Sequence, residues 1–327
     1  MIRLIGLELT RLRWRRAVLL LLIACLVVPV VIFAATAWTT RPVSEADLRQ
    51  AQEQVERDRA DPSFQREIER CEKRPNRYGV ADAAECADMM GPRVEWYISR
   101  PQLSLQEVLH GQGLAVVIFL TGLLMLAATT FVGADWNSGS MSNQLLFEPR
   151  RLRIWLTKAG AVMAVAVVTL GVVLTAFWGG MYLLARSRDI EPLARVVTDI
   201  QWTSLRAVLL VAAATLGAYA VTMLFRSTVF TLGALFAVVI GSTVVLAALG
   251  ISEQWMPHIN VAAFLNDGAR YYRDVADICF QGRRPPEGAD CRQYGVVSFG
   301  DGALYLGVAL AAAVGLSAWS FRRRDVP

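Results

Sequence analysis

Six long runs of uncharged, apolar residues constrain this chain more than any other feature of its sequence. A run of about 20 apolar residues matches the roughly 30 Å hydrocarbon core of a bilayer at the 1.5 Å rise of an α-helix. Strands of a membrane barrel would alternate polar and apolar side chains, and these runs do not. We therefore predict an all-α polytopic membrane protein with six transmembrane helices. The predicted spans are 17–38, 114–134, 159–185, 207–225, 229–250 and 303–321.

The N-terminal segment 1–16 combines apolar residues with arginines and precedes the first span. This pattern predicts an amphipathic helix at the inner membrane interface, with its arginines near lipid phosphates. A simpler alternative is that the arginines only fix the topology of the span. A cleaved secretory signal is a further alternative, but the apolar run is about twice the usual length and continues past Pro29. We expect an uncleaved anchor.

The distribution of basic residues predicts the orientation of the chain. The net charge is +5, and basic residues are concentrated in 1–16, in 135–158 and in the tail 322–327. The connections 186–206 and 251–302 carry fewer for their length. Positively charged short connections stay in the cytosol, so we expect both termini to be cytosolic. Charge sorted in this way is no indication of nucleic-acid binding.

Three regions lie outside in this orientation, and the two longer ones, 39–113 and 251–302, show structural patterns that 186–206 lacks. In the first, Ser44 with Asp47 forms a capping-box pattern and Asp61-Pro62 is typical of a helix start. Region 39–113 is therefore predicted to be a small, external helical cap. In the second, 255–272 is half apolar but too short to span, so it is predicted to be re-entrant or interfacial.

Four of the five cysteines fall in these two outer regions. An oxidising compartment would allow them two disulfides, with three possible connectivities. We expect the local pairs Cys71–Cys86 and Cys279–Cys291. A metal site is the alternative, but no CxxC motif or neighbouring histidine supports it.

Ionisable residues are absent within the six predicted spans. A charge in the bilayer centre costs at least about 2.5–3.5 kcal/mol and is kept for function, so their absence argues against proton relays and intramembrane enzymes. His110 and His258 lie outside the spans, in no HExxH motif. The two lysines, Lys73 and Lys158, belong to no GxxxxGK[ST] phosphate loop. We expect no catalytic site, metal or cofactor in this chain.

The connection 135–158 is the longest predicted cytosolic one. Its SGS sequence marks a turn, after which Ser140 or Ser142 is expected to cap a short helix carrying Met141, Leu145 and Leu146. Chain 149–158 then restarts as a helix and enters the third span. The apolar stripe of the short helix requires a partner groove or, alternatively, the membrane surface.

Residues 133–161 resemble the membrane subunit of a bacterial ABC exporter of the ABC-two (type V) class. Members typically show an acidic residue, Gly with a small hydroxyl residue, apolar positions, and then Pro-x-Arg leading to Lys. The matching residues are Asp135, Gly139 with Ser140, Leu145 with Leu146, Pro149 with Arg151, and Lys158. The family more often has Glu at the position of Asp135. The opening 8–16 and the six-span layout are also similar.

The resemblance implies that 135–148 is a coupling helix in a groove of a separate cytosolic ATPase subunit, which binds ATP and Mg²⁺. The implied coupling residues are Asp135, Trp136, Gly139, Met141, Leu145, Leu146, Pro149 and Arg151. ATP-driven closure would push two such helices together as rigid bodies.

Two permease copies, identical or homologous, would face each other in a bacterial plasma membrane. Between them would pass an amphipathic or hydrophobic solute, such as a drug, antibiotic, peptide or lipid. The second and fifth spans tend to line the path in this class. Here they offer Phe119, Thr121, Met125, Thr129, Phe236, Ser242 and Thr243. The competing interpretation is a membrane sensor or scaffold whose disulfide-bonded cap binds a ligand.

Overall fold

Five helical stretches long and apolar enough to cross a bilayer dominate the computed structural model of this chain. The structure describes residues 2–80, 82–83, 85–98, 100–273 and 291–323. The five stretches are Arg16–Thr39, Leu105–Asn137, Arg151–Arg186, Ala194–Phe225 and Phe299–Arg323. The chain is thus a largely helical protein with the build of a multi-pass membrane protein.

The helices and strands follow one another along the chain in this order. The N-terminal part contains α1 (Ile2–Arg13), α2 (Arg16–Thr39), α3 (Glu45–Ala60), α4 (Pro62–Lys73), α5 (Glu85–Met90), α6 (Val94–Tyr97) and α7 (Leu105–Val108). The central part contains α8 (Leu114–Asn137), α9 (Ser140–Phe147), α10 (Arg151–Arg186) and α11 (Ala194–Phe225). The C-terminal part contains α12 (Thr228–Phe236), α13 (Ser242–Ala248), α14 (Pro257–Asn266), β1 (Ala269–Tyr272), β2 (Tyr294–Val297) and α15 (Phe299–Arg323).

Helix α11 is the centre of the bundle and packs against α8, α10 and α15, while α2 packs against α8 and α10. Helices α2, α8, α10 and α11 run in alternating directions, and α15 runs parallel to α11. One end of the bundle, which we call the basic end, brings the starts of α2 and α10 together with the ends of α8, α11 and α15. At the opposite end, Arg188 donates to Thr40 Oγ1 at 2.8 Å, and Arg206 contacts Asp267 at 3.0 Å.

The predicted span 229–250 is helical but interrupted. A π-helical segment, Ala237–Gly241, separates α12 from α13. Helix α12 begins at the basic end, where Thr228 Oγ1 lies so near Gly133 that an added Cβ would approach it to 1.7 Å. Five of the six predicted spans therefore correspond to long helices of the described chain, and the sixth to a helical segment that contains a π-helical turn.

The long helices extend past the predicted boundaries. Helix α11 begins at Ala194 rather than at 207, and α10 begins at Arg151 rather than at 159. The polar residues that flank these apolar runs continue the backbone hydrogen bonding of the helix. They can do so because their charged side chains stay hydrated or contact other parts of the protein. The connection predicted as 186–206 is correspondingly short.

Region 39–113 begins as a small unit of helices α3 to α6, as its caps predict. Ser44 Oγ accepts from Asp47 N at 3.3 Å and the Asp47 carboxylate accepts from Ser44 N at 3.0 Å, which confirms the capping box. Asp61 Oδ1 accepts from Ser63 N at 2.7 Å, one residue after Pro62. Arg100 binds both carboxylate oxygens of Asp47, at 2.7 and 2.8 Å.

The cysteines follow the expected pairing as far as the structure describes them. Cys71 and Cys86 form a disulfide, and both are fully buried with Val80 beside them. Cys291 is also disulfide-bonded, whereas its expected partner Cys279 lies outside the described residues.

Region 251–302 departs from the all-α prediction. After α14, strands β1 and β2 pair antiparallel, with Ala269 opposite Val297 and Tyr272 opposite Tyr294. The aromatic and β-branched residues of 269–272 and 294–297 favour strands over helix. Helix α14, which carries the apolar part of the predicted re-entrant segment, packs against α15.

Candidate coupling site

A buried ion cluster joins three helices at the basic end. Lys158, on α10, is completely buried. Its Nζ donates to Asp135 Oδ2 at 2.5 Å and to Glu8 Oε2 at 2.8 Å. Asp135 is 1% exposed on the last turns of α8, and Glu8 lies on α1. The lysine therefore bridges two carboxylates from two other helices.

Arg15 completes the cluster from the junction of α1 and α2. It donates to Asp135 and, through Nη1, to the backbone oxygen of Phe131 at 2.9 Å. The Phe131 ring lies beside both cations, with its centroid 5.1 Å from Lys158 Nζ and 5.2 Å from Arg15 Cζ. Such cation–π contacts add to the ion pairs where water is excluded.

The charges of the four core members of the cluster balance, and the half-exposed Arg11 lies 3.1 Å from Glu8 at its edge. Glu8 and Asp135 supply two negative charges, and Lys158 and Arg15 supply two positive ones. A buried ion is costly unless it is paired and hydrogen-bonded, so each member depends on the others. The cluster fixes α1 onto α10 and clamps the end of α8 to the start of α10.

The six predicted spans contain no ionisable residue, but the folded helices extend past them and bring charged residues together. Asp135 and Lys158 lie just beyond the predicted boundaries 114–134 and 159–185, but within α8 and α10 as folded. The N-terminal segment also differs from an amphipathic helix whose arginines all face lipid. Glu8 and Leu12 are buried against protein, and Arg15 has a carboxylate partner.

The short helix α9 comes directly after α8 along the chain. Its N-cap is Gly139, at φ +67°, with no side-chain cap, so the predicted capping by Ser140 or Ser142 is wrong. A left-handed residue at this position turns the chain sharply after α8, which glycine does at little cost.

The apolar side chains of α9 divide between the protein interior and its surface. Met141 is fully buried, and Leu145 packs on the buried cluster around Phe131. Leu146 and Phe147 are 81% and 92% exposed. The helix thus anchors itself through two residues and presents two others outwards.

The remaining predicted coupling residues surround α9. The Trp136 ring lies 6.2 Å from that of Phe321 and 4.6 Å from the Arg226 guanidinium. Its buried Nε1 has no acceptor among the described residues. Pro149 is exposed and Arg151 half-buried. Nearby, Arg153 donates to Glu148 at 2.9 Å, which lowers the pKa of that carboxyl.

The predicted path residues do not converge within the single chain. Phe119 and Phe236 are 57% and 66% exposed, on α8 and α12. Thr121 donates to Val117 O at 2.6 Å, and Thr129, fully buried, donates to Leu126 O at 2.9 Å.

A third hydroxyl group among the predicted path residues, that of Ser242, also forms its hydrogen bond within its own helical segment. Ser242 donates to the carbonyl of Val238, while Met125 and Thr243 are half-buried. These hydroxyls satisfy their own helices, as is common for Ser and Thr in apolar segments.

Sequence reasoning placed Asp135 in the site but missed Glu8, Arg15 and the bridging role of Lys158. One signal was present: Glu8, Asp135 and Glu148 are almost the only acids in the segments predicted to be cytosolic. Within the described residues, no group of three His, Cys, Asp or Glu could hold a metal ion.

Comparison of the chain with models of protein families, with curated proteins and with solved structures gave no match. The geometry of the basic end is therefore the basis on which a function can be argued.

Proposed function

We propose that this chain is the membrane subunit of an ATP-driven exporter of amphipathic or hydrophobic solutes, and that a separate ATPase subunit docks on α9. The observation that carries the proposal is the adjacent pair Leu146 and Phe147, 81% and 92% exposed at the end of a short helix. Two large apolar side chains of this exposure form the centre of a docking surface when polar residues surround them. Glu148, Arg150 and Asn143 are such neighbours.

The second support is the stiffness of the connection behind α9. Met141 is buried in the bundle, and Arg153 pairs with Glu148 at the start of α10. The ion cluster clamps α8 to α10 just behind this helix. A displacement of α9 by a closing ATPase would therefore move α8 and α10 together, as a rigid-body transition.

The same proposal assigns the orientation and the sixth span. The basic end would lie in the cytosol of a bacterial plasma membrane, following the positive-inside rule. Residues 228–248 leave the basic end beside Gly133 and lead to the α14 region at the opposite end, so we assign them as the sixth, interrupted span. The helical unit α3–α6 would then be external.

The exposed apolar faces of α8 and α12 fit a second copy of the chain. Phe119 and Phe236 would contact lipid in a monomer. Between two copies, they and the hydroxyl residues of the same helices would line an apolar path. The resemblance of 133–161 to ABC-two permeases agrees with this arrangement.

The test is co-purification of Mg²⁺-dependent ATP hydrolysis with the tagged chain from its native membranes in a mild detergent. The variant combines Leu146→Asp and Phe147→Asp, which should abolish at least about 90% of the co-purifying hydrolysis, since two desolvated charges cost several kcal/mol. The matched control is Leu193→Asp, 74% exposed in the connection of α10 to α11 at the opposite end.

Unchanged melting and elution profiles of the doubly substituted chain would show that only docking was lost. Hydrolysis absent from the wild-type preparation would favour the sensor or scaffold interpretation. Hydrolysis retained by the double variant would remove α9 from the docking surface.

A further inference from the structure

A cavity of about 650 Å³ lies at the opposite end of the bundle, far from α9. It opens between α14, β2 and the first turns of α15. Its walls include Gln254, Trp255, Asp301, Leu304, Tyr305 and Val308. Its volume falls in the roughly 300–1,000 Å³ range of small-molecule sites.

The cavity has an apolar side along α15. Leu304 and Val308 are 68% and 59% exposed on a helix long and apolar enough to cross a bilayer. Residues four apart share one helix face, so these side chains form a continuous apolar strip leading into the cavity. A molecule dissolved in the membrane can therefore reach the cavity along this strip.

The polar side of the cavity carries a single formal charge. Asp301 is the only charged residue among the described residues that line it. Its Oδ2 accepts from Ser298 N at 3.2 Å and from Ser298 Oγ at 2.7 Å. Its Oδ1 makes no hydrogen bond with any described residue, so one carboxylate oxygen is available to a ligand.

Aromatic rings and a well-fixed wall complete the site. Trp255 is 54% exposed and Tyr305 half-buried, so both present ring surface to the cavity. Asn260, 3% exposed, holds the wall by donating to the carbonyls of Gln254 at 2.8 Å and Met256 at 3.0 Å. Aromatic faces beside a carboxylate are the groups that recognise organic cations.

We propose that this cavity binds an amphipathic organic cation that enters from the lipid along α15. The charged group lies against Asp301 and the rings of Trp255 and Tyr305, and the apolar part lies over Leu304 and Val308. The site is separate from α9 and is a binding site whether or not an ATPase docks there.

The test is equilibrium binding of radiolabelled tetraphenylphosphonium to the full chain in lipid nanodiscs, with no ATP present. Radiolabelled tetraphenylborate, nearly the same size but negatively charged, is measured in separate samples, because the two ions pair with each other when mixed. The comparison separates charge recognition from apolar partitioning. We expect saturable binding of the cation above that of empty nanodiscs, and none of the anion.

Three variants locate the site. Asp301→Asn keeps the acceptor for Ser298 but removes the charge, and should weaken binding by about tenfold or more. Val308→Trp fills the cavity from an exposed position and should abolish saturable binding. The control Asp267→Asn removes a carboxylate that lies outside the cavity and should bind the cation like the wild type. The backbone of residue 267 has φ +63°, a conformation that asparagine tolerates.

Three results would overturn the proposal. They are uptake no greater than that of empty nanodiscs, equal saturable binding of tetraphenylborate, and wild-type affinity in Asp301→Asn or Val308→Trp. Elution profiles of every variant check that the chain is folded. Loss of cation binding would leave the docking of an ATPase on α9 untouched, because the two assays probe opposite ends of the chain and the binding assay contains no ATPase.

Discussion

Replacing Lys158 with methionine tests the ion cluster most directly. Methionine matches the unbranched apolar stem as far as Cε, with sulfur in place of Cδ, and lacks the ammonium group. Glu8 would keep Arg11 at 3.1 Å, a half-exposed partner, and Asp135 would keep Arg15. Breaking a buried pair by removing one partner costs about 3–5 kcal/mol, and each carboxylate retains one arginine, so we expect about 3 kcal/mol.

That loss is large enough to measure by thermal unfolding in nanodiscs. At roughly 2–4 °C per kcal/mol, the apparent Tm should fall by about 6–12 °C. The matched control is Lys73→Met, because Lys73 is the only other lysine of the chain and is exposed, 3.9 Å from Glu69. A surface pair of this kind is worth about 0–1 kcal/mol, so the control should melt close to the wild type.

Two further measurements separate the cluster from a general packing defect. Trypsin should cleave at Arg11 more rapidly in Lys158→Met, because α1 loses its bond to α10. Adding Glu8→Gln to Lys158→Met should reverse part of the decrease in Tm, since it removes a carboxylate that has lost its lysine partner. Equal Tm values for Lys158→Met and Lys73→Met, with α1 equally protected, would refute the argument.

Two other predictions concern packing and pH. Gly133→Ala should cost about 1–3 kcal/mol because its Cβ would meet Thr228, whereas Gly122→Ala, with no atom within 4 Å, should be neutral when both are compared by thermal unfolding. Hydrogen bonds from Ser44 and the charge of Arg100 lower the pKa of Asp47 to about 2, below the usual 3.8. The stabilising contribution of Asp47 is therefore present above about pH 4 and lost as the pH falls towards 2. The Tm difference between Asp47→Asn and the wild type should shrink over that interval, and a constant difference would contradict the assignment.

Most of the architecture was predictable because its signals are local. The apolar runs identified the five long helices, and the capping residues Ser44 and Asp61 marked the starts of α3 and α4. The boundaries were less predictable. The length of an apolar run reflects the thickness of the hydrocarbon core. A helix can extend past that run wherever its flanking side chains are hydrated or paired, as α11 does from Ala194.

The ion cluster could not be predicted in this way because its pairs are distant in sequence. Glu8 and Lys158 are 150 residues apart, and Arg15 and Asp135 are 120 apart. In the sequence, Glu8 and Arg15 looked like ordinary charges beside a span, and Asp135 and Lys158 like separate positions of a motif. Only the folded bundle shows that these charges are removed from water together.

The sequence predicted that α9 carries apolar side chains, but not which of them face the protein interior and which face outward. Met141 and Leu145 turn inward, and Leu146 and Phe147 turn outward. Phe147 was not among the expected coupling residues, which on this helix were Met141, Leu145 and Leu146. The left-handed turn at Gly139 sets the angle of α9, and no local pattern specifies that angle.

The length of α10 has a mechanical consequence. Its 36 residues form a rod of about 54 Å, nearly twice the thickness of a hydrocarbon core. A tilt of about 10° pivoting at Lys158 would swing the far tip at Arg186 through about 7 Å, from the helical rise alone. Beyond that tip, Arg188 is tied to Ala37 O at 2.7 Å. Such a movement of α10 must therefore either move α2 with it or break this hydrogen bond.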